Sequence, residues 1–135
     1  MAALLPALAV FDLAGTTLED DGTVAAVFKQ VLASEGLALG WAARFDAVVC
    51  GDEVEAGRPS PAMIREAMRR TGVADPARVL AVGDTTLDLQ AGTAAGAGWV
   101  VGVLSGAHDR ARLLQGPHTH LLASVAAIPG LLEPK

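Results

Sequence analysis

Cysteine and positive charge are both scarce in this sequence. Cys50 is the single cysteine among 135 residues, so no disulfide can form within the chain, and a reducing compartment is favoured. Lysine and arginine together number 10, against 15 aspartates and glutamates, which leaves a net charge of −5. Because no basic patch forms, nonspecific binding to nucleic acid is disfavoured. We therefore expect no nucleic-acid partner.

Long apolar runs are also missing. No stretch approaches the ~18 uninterrupted apolar residues of a membrane span. Residues 2–10 are apolar, but they lack a basic leading segment and run directly into Asp12. We therefore expect a core strand there and no signal peptide. Together these observations predict a cytoplasmic protein without a membrane partner.

The sequence does contain a regular alternation of short apolar runs and helical patterns. Its hydrophobic content of 52% with 19% charged residues indicates a folded globular chain. The patterns predict strands at 8–11, 46–50, 78–82, 99–104 and 120–123, and helices at 23–35, 61–71, 87–95 and 108–114. Strands that are apolar throughout and separated by helices indicate a parallel sheet covered on both faces. We predict one α/β domain over residues 1–135 with a doubly wound parallel sheet.

The first predicted strand ends in a carboxylate. Residues 8–17 read Leu-Ala-Val-Phe-Asp-Leu-Ala-Gly-Thr-Thr, so an apolar run delivers Asp12 into a loop that contains Gly15 and Thr16. The carboxyl edge of a parallel sheet is where α/β folds place their sites. Asp12 is therefore a candidate nucleophile or metal ligand. An acid two residues later could donate a proton, but Ala14 stands there.

Two later loops carry further charged candidates. Asp84 follows a buried strand, and Asp88 lies four residues on, in the first turn of a helix. This spacing lets both carboxylates face one crevice. With Asp12 they offer three oxygen ligands, a set that suits Mg²⁺ together with water and a substrate phosphate. Arg58, in the loop before the helix at 61–71, would add a positive charge suited to phosphate.

Plainer roles are open for each of these residues. Asp12 could form a turn or cap a helix, and Asp84 could cap the helix that holds Asp88. Arg58 could be a solvated surface arginine. The histidines have no ligand spacing with a carboxylate, so surface or capping roles are expected for them. They are His108, His118 and His120.

Three motifs in order resemble those of the haloacid dehalogenase superfamily, and in particular its phosphonatase-like branch. The first is Asp-x-Ala-Gly-Thr at residues 12–16, and the second is Gly-Arg-Pro-x-Pro at residues 57–61. The last, Gly-Asp-Thr-x-x-Asp-x-x-Ala-Gly-x-x-Ala-Gly, runs from Gly83 to Gly96. The resemblance covers nearly the whole chain and implies a Rossmann-like core.

The resemblance also implies a role for each matched residue. Asp12 would be the nucleophile that forms an aspartyl-phosphate, and Arg58 would steady it and the transferring phosphoryl group. Mg²⁺ would be held by the carboxylates of Asp12, Asp84 and Asp88 and by the backbone carbonyl of Ala14. Phosphate-binding positions would be Gly15, Thr16 and Arg58. The implied substrate is a small phosphorylated or phosphonate molecule.

The chain departs from the family pattern between the first helix and the 46–50 strand. The segment 36–41, Gly-Leu-Ala-Leu-Gly-Trp, bridges a space where relatives usually carry a helical cap domain and a strand ending in a phosphate-binding Ser or Thr. We expect a deletion of ~100 residues at this junction, so that the cap and the second motif are absent. The Schiff-base lysine of phosphonatases also has no match, because Lys29 and Lys135 lie elsewhere.

Three hypotheses on function follow. The first is a Mg²⁺-dependent hydrolase that acts through Asp12. The second is a catalytically impaired or inactive remnant that keeps the fold and a Mg²⁺ or phosphate site. The third is a core that works in a homo-oligomer, because loss of the strand beside the first would expose a sheet edge and apolar surface to another chain.

Overall fold

A computed structural model of the protein describes residues 5–12, 46–47, 49 and 51–133. The predicted helix at 23–35 and the predicted junction at 36–41 lie outside these residues, as do Ala14, Gly15 and Thr16. Lys29 and Lys135 lie outside them as well.

Four strands form one parallel sheet in chain order: β1 (Leu8–Phe11), β2 (Val79–Gly83), β3 (Trp99–Val103) and β4 (His120–Leu122). In the register, Phe11 is opposite Val82, and Val82 is opposite Val101. The carboxyl ends of β1 and β2 therefore lie side by side at one edge of the sheet. In the described part of the chain, β1 is an outer strand.

Among the described residues, four α-helices accompany the sheet: α1 (Ala62–Thr71), α2 (Thr86–Ala95), α3 (Arg110–Leu113) and α4 (Ile128–Leu132). Short 3₁₀ helices lie at Gly51–Glu53, Pro76–Arg78 and Val125–Ala127. α1 and α2 end at Gly72 and Gly96, whose φ angles of 73° and 82° are in the left-handed region where glycine is favoured. No helix in the described ranges has both the length and the hydropathy to span a bilayer.

Apolar side chains cover the sheet on both faces. Ile64 of α1 and Ala91 of α2 pack against Ala81 on one face, and Leu113 of α3 extends that face beside Val100. Ile128 of α4 belongs to a separate cluster on the other face. The strand residues of that cluster are Leu80, Val82, Val101 and Val103. The predicted doubly wound parallel α/β arrangement is thus confirmed.

One predicted strand is wrong for the residues that can be compared. Of the segment predicted as strand 46–50, residues 46, 47 and 49 are described, and none of the three lies in a strand. The apolar residues of this segment match the pattern of a buried strand, but a strand also needs a neighbouring strand to pair with. The predicted helix at 108–114 is real but shorter, because Asp109 caps α3 and the helix ends at Leu113.

Candidate active site

Asp12 and Asp84 leave two neighbouring strands at the same edge of the sheet. The backbone amide of Asp12 donates to the carbonyl of Val82 at 3.0 Å, which extends the pairing of β1 and β2 by one residue. Asp84 follows directly after Gly83, the last residue of β2. The parallel register therefore brings two aspartates that are far apart in sequence to one crevice.

Asp88 is held by the cap of helix α2. The hydroxyl of Thr85 accepts from the Asp88 amide at 3.4 Å and donates to Asp88 Oδ2 at 2.9 Å. The same Oδ2 accepts from the amides of Asp84 and Thr85, at 3.1 and 3.0 Å. This reciprocal capping box satisfies free amides at the helix start. It also leaves Asp88 Oδ1 facing the crevice.

Arg58 joins the two halves of the site. Its Nη1 donates to Asp12 Oδ2 at 3.0 Å and to Asp88 Oδ1 at 2.7 Å. The arginine side chain is only 24% exposed, and its two partners are 16% and 5% exposed. Such shielded, charge-assisted hydrogen bonds are stronger than those of a solvated ion pair. The alternative of a free surface arginine does not fit this geometry.

Asp84 is fully buried, and its two carboxylate oxygens have different surroundings. Oδ2 accepts from the backbone amide of Ala107 at 2.8 Å. Oδ1 is buried and has no hydrogen-bond partner among the described residues. A buried carboxylate oxygen without a partner is costly, and such atoms in folded proteins call for an explanation such as an ion.

Two glycines allow the chain to pass close to these carboxylates. A Cβ at Gly83 would overlap the side chain of Asp88, and a Cβ at Gly106 would overlap the side chain of Asp84. Any larger residue would have to displace an aspartate or the loop that follows β3. The glycines therefore permit the burial of both acids.

The crowding of acids changes the proton affinity of Asp12. Burial is the main cause and the nearby charge of Asp88 the next, and they raise the pKa of Asp12 from 3.8 to about 8 although Arg58 opposes them. Burial lowers the pKa of Arg58, but its hydrogen bond to Asp88 and the charge of Asp12 outweigh that effect, and the pKa is raised. The site therefore holds more negative charge than Arg58 alone balances.

A divalent metal fits this donor set. One oxygen each of Asp12, Asp84 and Asp88 lies within 4.8 Å of the others. Opposite ligands of octahedral Mg²⁺ are about 4.2 Å apart, so small side-chain movements would suffice. The unpartnered Oδ1 of Asp84 is a ready ligand, and all the donors are the hard oxygens that Mg²⁺ prefers.

Sequence reasoning overlooked the loop between β3 and α3. Ala107 contributes the amide that holds Asp84, and Nδ1 of His108 accepts from the amide of Thr86 at 3.2 Å. A capping role for His108 was one of the two expected, but its partner lies 22 residues away. Gly106 was the available signal, because a glycine just after a strand often marks a close approach.

Comparisons with known proteins agree with this architecture. The sequence profile of the haloacid dehalogenase-like hydrolases matches residues 33–96, which contain Arg58, Asp84 and Asp88. A phosphonoacetaldehyde hydrolase from Bacteroides fragilis is 39% identical over 92 residues, or 68% of this chain and 33% of the relative. The chain is therefore similar to the haloacid dehalogenase-like hydrolases.

Two further proteins resemble the chain over part of their length. A phosphoglycolate phosphatase from Neisseria gonorrhoeae is 36% identical over 106 residues, which cover 78% of this chain and 44% of the relative. The crystal structure of a hydrolase from Pseudomonas syringae superposes with a TM-score of 0.52 and 27% identity, over 59% of this chain and 37% of that one. The chain thus spans less than half the length of these relatives.

Proposed function

We propose that this chain is the core of a Mg²⁺-dependent hydrolase that acts on a small phosphorylated or phosphonate molecule through Asp12. The observation that carries the proposal is the bridge of Arg58 between Asp12 and Asp88, with Asp84 beside them. A nucleophile, a fixed positive charge and a hard-oxygen metal site are the parts that phosphoryl transfer requires.

In this proposal, a carboxylate oxygen of Asp12 attacks the phosphorus atom. The bond from phosphorus to the leaving oxygen or carbon breaks, and its electron pair leaves with that atom. Water then hydrolyses the aspartyl-phosphate, which releases phosphate and restores the Asp12 carboxylate. Arg58, hydrogen-bonded to Asp12 at 3.0 Å, orients the carboxylate and stabilises the charge on the equatorial oxygens of the phosphoryl group.

The metal would be held by Asp12, Asp84 and Asp88, and the family resemblance adds the backbone carbonyl of Ala14. A bound Mg²⁺ supplies charge neutralisation for a phosphate beside these acids. The residues of this chain prepare the site, because the buried Oδ1 of Asp84 has no donor in the part of the chain that the structure describes. By the same resemblance, Gly15 and Thr16 would contact the phosphate.

The substrate is proposed only as a chemical class. The names of two relatives indicate phosphonoacetaldehyde and phosphoglycolate, a phosphonate and a phosphate ester. With Ala14 in place of an acid, a leaving group that needs no protonation by that position is favoured. Activated phosphate esters therefore head the list of substrates to test, and a phosphonate is included although the lysine that would activate its carbon leaving group has no match in the chain.

The test is phosphate release from a panel that contains p-nitrophenyl phosphate, phosphoglycolate and phosphonoacetaldehyde, with Mg²⁺ present. We expect Asp12→Asn to lose at least about 10³-fold in kcat, because the amide cannot form the acyl phosphate. Arg58→Ala should lose about 10²-fold or more. The exposed Asp46→Asn is the matched control and should retain the activity of the unaltered chain. Turnover that survives in Asp12→Asn would refute the proposal.

The second candidate is a metal-binding core without turnover. It is favoured by Ala14 and by the raised pKa of Asp12, because a protonated carboxyl is a poor nucleophile. This candidate predicts that titration calorimetry detects Mg²⁺ binding while no Asp12-dependent phosphate release occurs at any substrate concentration. Release that depends on Asp12 would exclude it.

We also propose that the chain associates with a second copy of itself and is located in the cytoplasm. β1 is an outer strand in the described sheet, and its Phe11 is 40% exposed, which supports pairing with a second copy of the chain. A stable monomer at micromolar concentration by light scattering would rule this out. The single cysteine supports a cytoplasmic location.

A further inference from the structure

The loop between β3 and α3 contacts the Asp84–Asp88 turn at three points. The Ala107 amide donates to Asp84 Oδ2 at 2.8 Å. The His108 amide donates to the Asp84 carbonyl at 3.3 Å, and Nδ1 of His108 accepts from the Thr86 amide at 3.2 Å. The Asp84–Asp88 turn, which these three contacts hold, contains two of the three candidate metal ligands, Asp84 and Asp88.

The contact with Thr86 is a helix cap supplied from outside the helix. Thr86 is the first residue of α2, and amides in the first turn of a helix have no partner within it. Thr85 already serves the Asp88 amide. The half-buried imidazole of His108 therefore provides the acceptor for a different amide of the same turn. For this, Nδ1 must carry a lone pair, so the ring proton is on Nε2.

We propose that His108 is a positioning residue for the Asp84–Asp88 turn. By holding the start of α2 from one side while Ala107 fixes Asp84 Oδ2, it keeps the carboxylate of Asp84 close to those of Asp12 and Asp88. The consequence for metal affinity rests on the proposed function, whereas the positioning of the turn does not. Residues that orient metal ligands through a hydrogen bond commonly change metal affinity by 10- to 100-fold.

The first experiment measures the turn in the metal-free protein at about pH 8, where a solvent imidazole is neutral. Nitrogen NMR of the imidazole should show the Nε2–H tautomer of His108. Exchange of the Thr86 amide hydrogen should be about three- to tenfold faster in His108→Ala, the effect of losing one neutral hydrogen bond. Asn can offer an oxygen near the position of Nδ1, so His108→Asn should recover most of the protection.

His120→Ala is the control for this experiment. His120 is also half-buried and also bonded through Nδ1, but its partner is Thr119 at the start of β4, at the opposite edge of the sheet. Its removal should leave the Thr86 amide unchanged. The inference is refuted if His108 has the Nδ1–H tautomer, or if the Thr86 amide exchanges equally in His108→Ala and in the unaltered protein.

The second experiment measures Mg²⁺ binding by titration calorimetry. We expect about a tenfold or greater loss of affinity in His108→Ala, a loss under threefold in His108→Asn, and no change in His120→Ala. If the unaltered protein binds no Mg²⁺, the proposed function fails, and the amide exchange still decides the role of His108. If Mg²⁺ binds equally to His108→Ala and the unaltered protein, the effect of His108 on metal affinity is refuted while the proposed function stands, and the amide exchange decides the positioning of the turn.

Discussion

Asp12 and Asp84 occupy equivalent places on neighbouring strands, yet their surroundings are opposite. Asp84 is fully buried, and the Ala107 amide holds one of its oxygens. Asp12 is partly exposed, and a guanidinium, Arg58, contacts its carboxylate at 3.0 Å. The turn after β2 is shaped by backbone donors and a helix cap, whereas the end of β1 depends on a side chain from another loop.

This difference divides the site into two halves. The rigid half consists of Asp84 and Asp88, and the adjustable half consists of Asp12 and Arg58. The backbone amides that hold Asp84 and Asp88 carry no titratable charge and lie in a loop and at the start of α2, so we expect these two carboxylates to keep their arrangement. The position and the proton of Asp12 depend on the balance between buried acids and one arginine. We therefore expect pH effects to be concentrated at Asp12, and metal affinity and folding to depend most on the turn after β2.

The largest expected effect is the loss of metal affinity when the rigid half loses its charge. Asp84→Asn should weaken Mg²⁺ binding by at least about 100-fold, because it removes the ready ligand oxygen. Asp12→Asn should weaken it less at neutral pH, because a proton already competes with the metal there. Titration calorimetry at about pH 7 compares the two. A larger loss in Asp12→Asn would contradict the division of the site.

Gly106→Ala tests how tightly the rigid half is packed. The added Cβ would overlap the Asp84 side chain, so we expect the free energy of unfolding to fall by about 1–3 kcal/mol and Mg²⁺ binding to weaken. Urea unfolding measures the first effect. Gly51→Ala is the control, since nothing lies within 4 Å of its Cβ. Equal stability of the two variants would show that the loop between β3 and α3 moves at little cost to make room for the added Cβ.

The pH dependence of stability tests the adjustable half. The folded pKa of Asp12, about 8, exceeds the unfolded value of 3.8, so the folded metal-free protein holds a proton that the unfolded chain has lost. This contribution to stability is complete below about pH 4 and is lost as the pH rises through 8, with a slope of at most about 1.4 kcal/mol per pH unit.

Urea unfolding in a metal chelator, repeated from about pH 5 to 8, measures this slope. Asp12→Asn removes the titrating carboxyl, so its free energy of unfolding should lack this slope. The variant should therefore gain stability relative to the unaltered protein as the pH rises. Asp46→Asn, altered at an exposed acid, should follow the unaltered protein. Parallel profiles for Asp12→Asn and the unaltered protein would mean that Asp12 is ionised throughout.

The smallest expected effect comes from the helix cap. Thr85→Ala removes the hydroxyl from the capping box, and we expect a loss of about 1 kcal/mol in the free energy of unfolding. Thr85→Ser keeps the hydroxyl and should recover most of it. Thermal unfolding of the three proteins provides the measurement. A Thr85→Ala protein as stable as Thr85→Ser would show that the contacts of the β3–α3 loop suffice for the turn.

Most of the fold was predictable because it depends on local pattern. β1 has the predicted bounds, and α1 and α2 each begin one residue from the predicted start and end at the predicted residue. The predicted strand at 46–50 was wrong for its described residues, because an apolar run does not reveal whether a neighbouring strand is available. The contacts of the loop before α3 were not predicted either, because its partners at Asp84 and Thr86 are distant in sequence.

The sequence by itself determined most of the order of strands and helices, the parallel sheet, and the side chains that we propose for phosphoryl chemistry. The periodicity of apolar residues, the helix-capping residues and the spacing of motifs depend on neighbours along the chain, so they can be predicted from the amino-acid sequence. Tertiary structure alone decided that Arg58 bridges two acids, that Asp84 has an oxygen unpartnered by any described residue, and that the pKa of Asp12 is raised. These properties depend on burial and on distances between groups up to 46 residues apart.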